Sequence, residues 1–175
     1  MRPPDPHVIV VIGVAGSGKT TVARALAGHY GHAFLDADDF HSEEARAQMG
    51  GGTPLTDAQR EPWVGMLAQA LRTQARAGRS SVLAFSGLRA SHRQRLRESG
   101  VPIRFVFLDA PPSVIAERLA SRDNHFMPPI LQASQLADLQ DPGAEPDVVA
   151  VDAAADAREV VQRAVAALEA GSTRD

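Results

Sequence analysis

Short apolar runs alternate along this chain with longer stretches in which apolar residues recur every three to four positions. The first run, residues 7–12, predicts a strand, and Thr21-Val22-Ala23-Arg24-Ala25-Leu26-Ala27 places a helix over residues 19–30 behind it. Ala33-Phe34-Leu35 is a second strand that runs into Asp36-Ala37-Asp38-Asp39. Ser42 can cap a short helix over 43–49, which Gly50-Gly51-Gly52-Thr53-Pro54 stops. Thr56 or Asp57 caps a longer helix carrying Trp63, Met66, Leu67, Ala70 and Leu71, and Gly78 ends it. Residues 81–85 form a third strand, 89–98 a basic helix, 103–108 a fourth strand, and 112–122 a helix with proline at its start. A loop over 123–129, a short helix over 134–139, a strand over 148–151 and an amphipathic helix over 157–170 complete the plan.

This alternation predicts an α/β fold, a three-layer α/β/α sandwich around a mainly parallel five-stranded sheet. The 175 residues suit one domain, with mobile insertions expected at about 42–62 and 122–142. Residues 1–6, with three prolines, read as a loose lead-in. A net charge of −3 gives no overall pull towards nucleic acid or anionic membrane, and no apolar run approaches a membrane span. The absence of cysteine excludes disulfides, thiolate metal sites and cysteine nucleophiles. A cytoplasmic protein with a small-molecule partner, bound to neither nucleic acid nor membrane, is the expectation.

Of the 18 basic side chains only Lys19 is a lysine, and it lies in Gly13-Val14-Ala15-Gly16-Ser17-Gly18-Lys19-Thr20. That segment fits the phosphate-binding loop G-x-x-x-x-G-K-[ST], between a predicted strand and a predicted helix. Glycines let backbone N–H groups close on phosphate oxygens, a compact ammonium reaches the terminal phosphates, and the Thr20 hydroxyl can ligate Mg²⁺. Gly13, Ala15, Gly16, Ser17, Gly18, Lys19, Thr20 and Thr21 are the nucleotide candidates.

Asp36 and Asp38 follow the second strand, at the carboxyl edge of the sheet where ligands of open α/β folds bind. Period-two alternation would turn both to one face. One carboxylate can support Mg²⁺ through water and the other can take the proton of an attacking hydroxyl. Arg60, beside the single tryptophan Trp63, can be an anion fork or a surface arginine. The small residues Ser86-Gly87 would let a substrate approach the backbone, with Arg89 facing the site. Arg93 and Arg97, one turn apart, read as a solvated face. Arg118 and Arg122, four apart and followed by His125, can form an arginine-bearing flap over the nucleotide or a solvent-facing helix end.

Together these motifs resemble the gluconate kinase family of small P-loop sugar-acid kinases, whose plan is related to shikimate and nucleoside-monophosphate kinases. The likeness spans about residues 7–166 and rests on the phosphate loop, Asp36-x-Asp38-x-x-His41, Pro54-Leu55-x-Asp57-x-x-Arg60-x-Pro62-Trp63, His125-Phe126-Met127 and Ser134-Gln135. It implies ATP-dependent phosphorylation of D-gluconate to 6-phospho-D-gluconate with Mg²⁺, a lid around 122–142, and a homodimer. Carried onto this chain, it makes Lys19, Asp38 and Arg122 catalytic, with Asp38 the base. Thr20 and Asp36 serve the metal, and Arg118 and Arg122 join the phosphate loop on the nucleotide. Asp36, Asp38, His41, Arg60, Arg89, His125 and Gln135 belong to the acceptor. The chain departs from the family at Ala37 in place of glycine, Ser42 in place of proline, and Arg89, His92 and Gln94 in place of lysine, tyrosine and aspartate. Those departures fall in the acceptor half, which leaves a related kinase of another sugar acid or polyol, or a nucleotide-binding regulator, as alternatives.

Overall fold

The computed structural model describes residues 5–121 and 129–172. Its strands are β1 (Val8–Ile12), β2 (Ala33–Asp36), β3 (Ser81–Ala84), β4 (Ile103–Asp109) and β5 (Val148–Asp152). They form one sheet in the order β2-β3-β1-β4-β5, with every pairing parallel. The helices are α1 (Lys19–Tyr30), α2 (Glu43–Gly50), α3 (Asp57–Arg76), α4 (Ala90–Arg97), α5 (Pro112–Ala120), α6 (Pro129–Asp138) and α7 (Ala157–Ser172).

Both faces of the sheet are covered, which is why the strands read as continuous apolar runs. Alternate residues of β1 serve opposite layers. Ile9 and Val11 pack with Val22 and Leu26 of α1 and Val160 and Leu168 of α7. Val8, Val10 and Ile12 pack with Trp63, Leu67 and Leu71 of α3 and Leu96 of α4. A smaller cluster of Val14, Leu88, Ile115 and Leu119 lies under the loop after β1 and ties it to α5.

Helix ends follow the residues that signal them. Ser42 Oγ accepts from Ala45 N–H at the start of α2. Thr56, not Asp57, caps α3 in a full capping box with Gln59. Two segments differ from the sequence reading. Residues 37–40 form a 3₁₀ turn and do not continue β2. Helix α6 begins at Pro129, a residue suited to a first helical position, and covers ten residues where the sequence suggests a short helix from Ser134.

Gly87 has a packing role that its place in the sequence does not announce. Its φ is 57°, and a Cβ there would stand 2.6 Å from Ile12 Cγ2. The small residue admits the side chain of β1. Gly87→Ala is expected to cost about 1–3 kcal/mol, from left-handed backbone and overpacking together, and urea midpoints would measure it.

Candidate active site

The loop after β1 enters α1 through Gly18, which stands at the N-cap and has no side chain to take the first helical amides. Those amides and the helix dipole favour an anion. Gly16 has φ 83°, and a Cβ there would meet Leu119 Cγ at 2.9 Å, so α5 holds the loop against its own backbone. Lys19 Nζ donates to Val14 O at 3.0 Å, curling back over the loop. Among the described residues, Ser17 Oγ is buried without a hydrogen-bond partner. Thr20 Oγ1 lies 3.5 Å from Asp36 Oδ2, so a hydroxyl and a carboxylate, both hard oxygen donors, face each other beside Lys19. That donor set fits Mg²⁺.

Asp36 and Asp38 do not share a face by strand alternation, because the chain turns into the 3₁₀ segment between them. Asp36 instead caps that turn, its Oδ1 accepting from Asp38 N–H at 3.0 Å. Burial pushes the Asp36 carboxyl above its ordinary range, the Asp38 amide opposes this, and Asp38 and Asp39 add to the rise. The Asp38 side chain is 86% exposed, open to a substrate hydroxyl. Its backbone is held from two sides. Trp63 Nε1 donates to Ala37 O at 2.8 Å, and Arg46 Nη2 donates to Asp38 O at 3.1 Å. Trp63 is thus both a core residue and a support of the turn that presents Asp38. His41 stacks on Trp63 at 4.1 Å between centroids and lies 3.9 Å from Asp38 Oδ1. Burial lowers the His41 pKa, only partly offset by Asp38, so the ring is neutral near pH 7.

Arg60 and Arg89 come together, and a residue that sequence reasoning overlooked joins them. Asp138, the last residue of α6, accepts from Arg60 Nη1 at 2.9 Å and from Arg89 Nη2 at 2.8 Å. Asp57 lies 3.6 Å from Arg60 Nη1 and 3.0 Å from Arg89 Nε. The second contact is Coulombic and off the N–H axis, since Arg89 Nε has no aligned acceptor among the described residues. The signal for Asp138 was its spacing from Gln135: three residues apart, the two share a helix face once α6 starts at Pro129. Gln135, expected at the acceptor, makes its hydrogen bond to the donor side. Its Oε1 accepts from Ala15 N–H at 2.7 Å, on the phosphate loop.

The face of α4 that carries Arg93 and Arg97 is not solvated. Arg93 is fully buried, with Nη1 donating to Gly87 O at 2.6 Å, Nη2 to Gln140 O at 3.0 Å, and a fork to Glu145. Arg97 pairs with Asp147 at 2.7 Å and with Glu145. His92 is buried, and desolvation followed by the charge of Arg60 lowers its pKa. Arg118 turns towards backbone carbonyls: Ser17 O at 3.4 Å, Ala153 O at 2.5 Å and Ala155 O at 2.8 Å. It thereby joins the phosphate loop to the segment between β5 and α7 and borders a cavity of about 260 Å³ lined also by Gly18, Thr21 and Asp156. The segment 155–157, which helps form this cavity, carries no sequence motif. Arg122 and His125 lie outside the described residues.

A parallel sheet whose first strand feeds a phosphate loop, with carboxylates at the end of the second strand, defines a P-loop kinase. A family profile described as an AAA domain matches residues 8–146. The fold is shared with the APS kinase CysC of Mycobacterium tuberculosis at a TM-score of 0.65 and 20% identity, covering 95% of this chain and 99% of that one. Sequence likeness narrows the class. The gluconokinase of Gluconobacter oxydans is 44% identical over 146 residues, 83% of this chain and 82% of that protein. The thermoresistant gluconokinase of Escherichia coli is 38% identical over 149 residues, 85% of each. A crystal structure of a gluconokinase from Sinorhizobium meliloti superposes with a TM-score of 0.87 at 40% identity, covering 96% of this chain and 94% of that one. The chain belongs to the gluconokinase family of P-loop kinases.

Proposed function

We propose that this protein transfers the γ-phosphoryl group of ATP to a hydroxyl of D-gluconate, giving 6-phospho-D-gluconate and ADP. The likeness to gluconokinases over more than four-fifths of either chain, with the phosphate loop intact, carries the reading. The phosphate loop and Lys19 bind and orient the donor phosphates. The 260 Å³ cavity beside Thr21 and Arg118 takes the rest of the nucleotide. Thr20, with Asp36 behind it, holds Mg²⁺, which when bound neutralises phosphate charge. Asp38 accepts the proton as the acceptor oxygen bonds to the γ-phosphorus and the bond to the bridging oxygen breaks. Neutral His41 takes a hydrogen bond from an acceptor hydroxyl, and Arg60 with Arg89 draws in the carboxylate. Arg122 and His125 complete the nucleotide and acceptor sets in this reading. A homodimer comes with the family resemblance and a cytoplasmic location with the composition, and light scattering tests the first.

A second reading keeps the chemistry and changes the acceptor to another sugar acid or a polyol. The observation that favours it is the replacement of the family's lysine by Arg89, whose fork already engages Asp138. The deciding experiment is ADP release with ATP and Mg²⁺ across D-gluconate, other sugar acids, polyols, shikimate and nucleoside monophosphates. Gluconate should lead in kcat/KM; a better acceptor elsewhere in the panel would replace the first reading with the second. Asp38→Asn should lower kcat by about 100- to 10,000-fold with ATP affinity retained. A change confined to the KM of the acceptor would make Asp38 a binding group instead of the base.

A further inference from the structure

The two arginines proposed to draw in the acceptor's carboxylate already grip one. Asp138 gives Oδ2 to Arg60 Nη1 at 2.9 Å and Oδ1 to Arg89 Nη2 at 2.8 Å. One carboxylate oxygen to each guanidinium is also how a ligand carboxylate would bridge two arginines. The Asp138 and Arg60 side chains are only 15% and 16% exposed, so the contacts are partly sheltered from solvent screening. Asp57 approaches the same arginines from a more open position. Two cations thus face two anions, and a third carboxylate arriving between the arginines would meet repulsion unless one aspartate gives way.

The helices decide which one. Asp57 lies in the first turn of α3, where the helix dipole holds a carboxylate in place. Asp138 lies at the last residue of α6, where the dipole works against a negative charge. The dipoles thus favour release of Asp138, which, bridging both guanidinium groups, is also the one whose place a ligand carboxylate would take.

We propose that Asp138 is an internal competitor that occupies the carboxylate position of the acceptor site from within, and that a sugar acid binds by exchanging its own carboxylate for that of Asp138. This rests on the reading that the acceptor is a sugar acid. The exchange makes the site demand two things at once. A neutral polyol offers the arginines no charge in return for Asp138, and a simple carboxylate lacks the hydroxyls that would face Asp38 and His41. The internal anion competes with the ligand's own carboxylate and so lowers affinity for sugar acids, while a ligand without a carboxylate has nothing to place between the arginines whether Asp138 is there or not, a repulsive element working alongside the attractive ones.

Calorimetric titration of the full chain with D-gluconate and, separately, with D-glucitol tests this. D-Glucitol is the neutral polyol of the same carbon number. The proteins are wild type, Asp138→Asn, Asp138→Ser and Asp138→Glu, with unfolding midpoints confirming that each is folded. Both neutral variants should bind gluconate about 3- to 10-fold more tightly than wild type, the size of one relieved like-charge contact. Glucitol should gain nothing, and Asp138→Glu should return towards wild type. Unchanged or weaker gluconate binding in both neutral variants would overturn the proposal and make Asp138 a support for the arginines. An equal gain for glucitol would also overturn it, because charge exchange could not be the cause. Steady-state phosphorylation separates this inference from the function it rests on. Gluconate turned over by wild type, with no tightening in the variants, sinks the exchange alone. Tightening specific to gluconate, without turnover, leaves the exchange standing and removes gluconate as the acceptor. No gluconate binding by any of the four proteins sinks both.

Discussion

Lys19→Ala is expected to lower phosphoryl transfer by about 100- to 1,000-fold, the cost of removing one preorganised charge from a transition state whose negative charge is spread over phosphate oxygens. The loop backbone and the amides of α1 would remain, so nucleotide binding should weaken less than kcat falls. Lys19 lies at the start of α1, outside both packed layers, and the variant should still unfold cooperatively. Lys19→Arg should not rescue activity, since the loop closes around a compact ammonium and a planar fork is larger. The composition supplies an independent check. Lys19 is the only lysine, so an amine-acylating reagent has one ε-amine to modify, and ATP with Mg²⁺ should protect it. Wild-type turnover by Lys19→Ala, or acylation indifferent to ATP, would overturn the assignment of the loop.

The largest effect on stability is expected at Arg93. This guanidinium is fully buried and serves Gly87 O, Leu88 O, Gln140 O and Glu145 at once. Arg93→Ala would remove the side-chain donor from Gly87 O and Gln140 O, leave Leu88 O with only the Gln140 amide, and leave Glu145 with Arg97 alone. Removing one member of a buried pair costs about 3–5 kcal/mol, which in a chain of this size lowers the melting temperature on the order of 10 °C. Arg93→Lys should recover little, because one ammonium cannot reach acceptors spread around a fork. Arg93 also joins the loop that carries Arg89 to the stretch just after Asp138, so surviving protein should show a raised KM for the acceptor. A loss below about 1 kcal/mol would mean that the buried pair contributes no more than a surface one.

The same pair makes stability depend on pH in a defined direction. Burial raises the Glu145 pKa, but hydrogen bonds from Arg93 and Arg97 outweigh it and hold the carboxyl below its ordinary value of 4.5. On acidification the unfolded chain takes up this proton first. The stability Glu145 contributes is therefore complete above the ordinary glutamate range and disappears as pH falls through the lowered value. Glu145→Gln should flatten that part of the acid unfolding curve.

Local chemistry made much of this molecule legible before any coordinates. The phosphate loop is contiguous, and its requirements are backbone conformation and one ammonium, both written in adjacent residues. The caps at Ser42 and Thr56 act within three residues of themselves, and the five strands announced themselves because a sheet covered on both faces needs unbroken apolar runs. Period-two reasoning failed at Asp38 because strand geometry ends at Asp36, where the Asp36 carboxylate captures the Asp38 amide and starts a 3₁₀ turn. Spacing alone could not show that capture. Arg93 and Arg97 read as solvated because helical periodicity tells which residues share a face but not what that face meets, and here it meets Glu145 and Asp147, about fifty residues away.

By itself, then, the sequence determined the class of fold, the phosphate-loop motif and the placing of Asp36 and Asp38 after the second strand, since each depends on short-range geometry that residue type dictates. Only the tertiary structure decided the partners of the arginines. Asp138 meets Arg60 and Arg89 across 78 and 49 residues, Gln135 reaches Ala15 across 120, and Arg118 turns to the carbonyls of Ala153 and Ala155. A guanidinium on a long flexible stem can satisfy its donors in many directions, so its role follows from which acceptors the packed elements bring within reach.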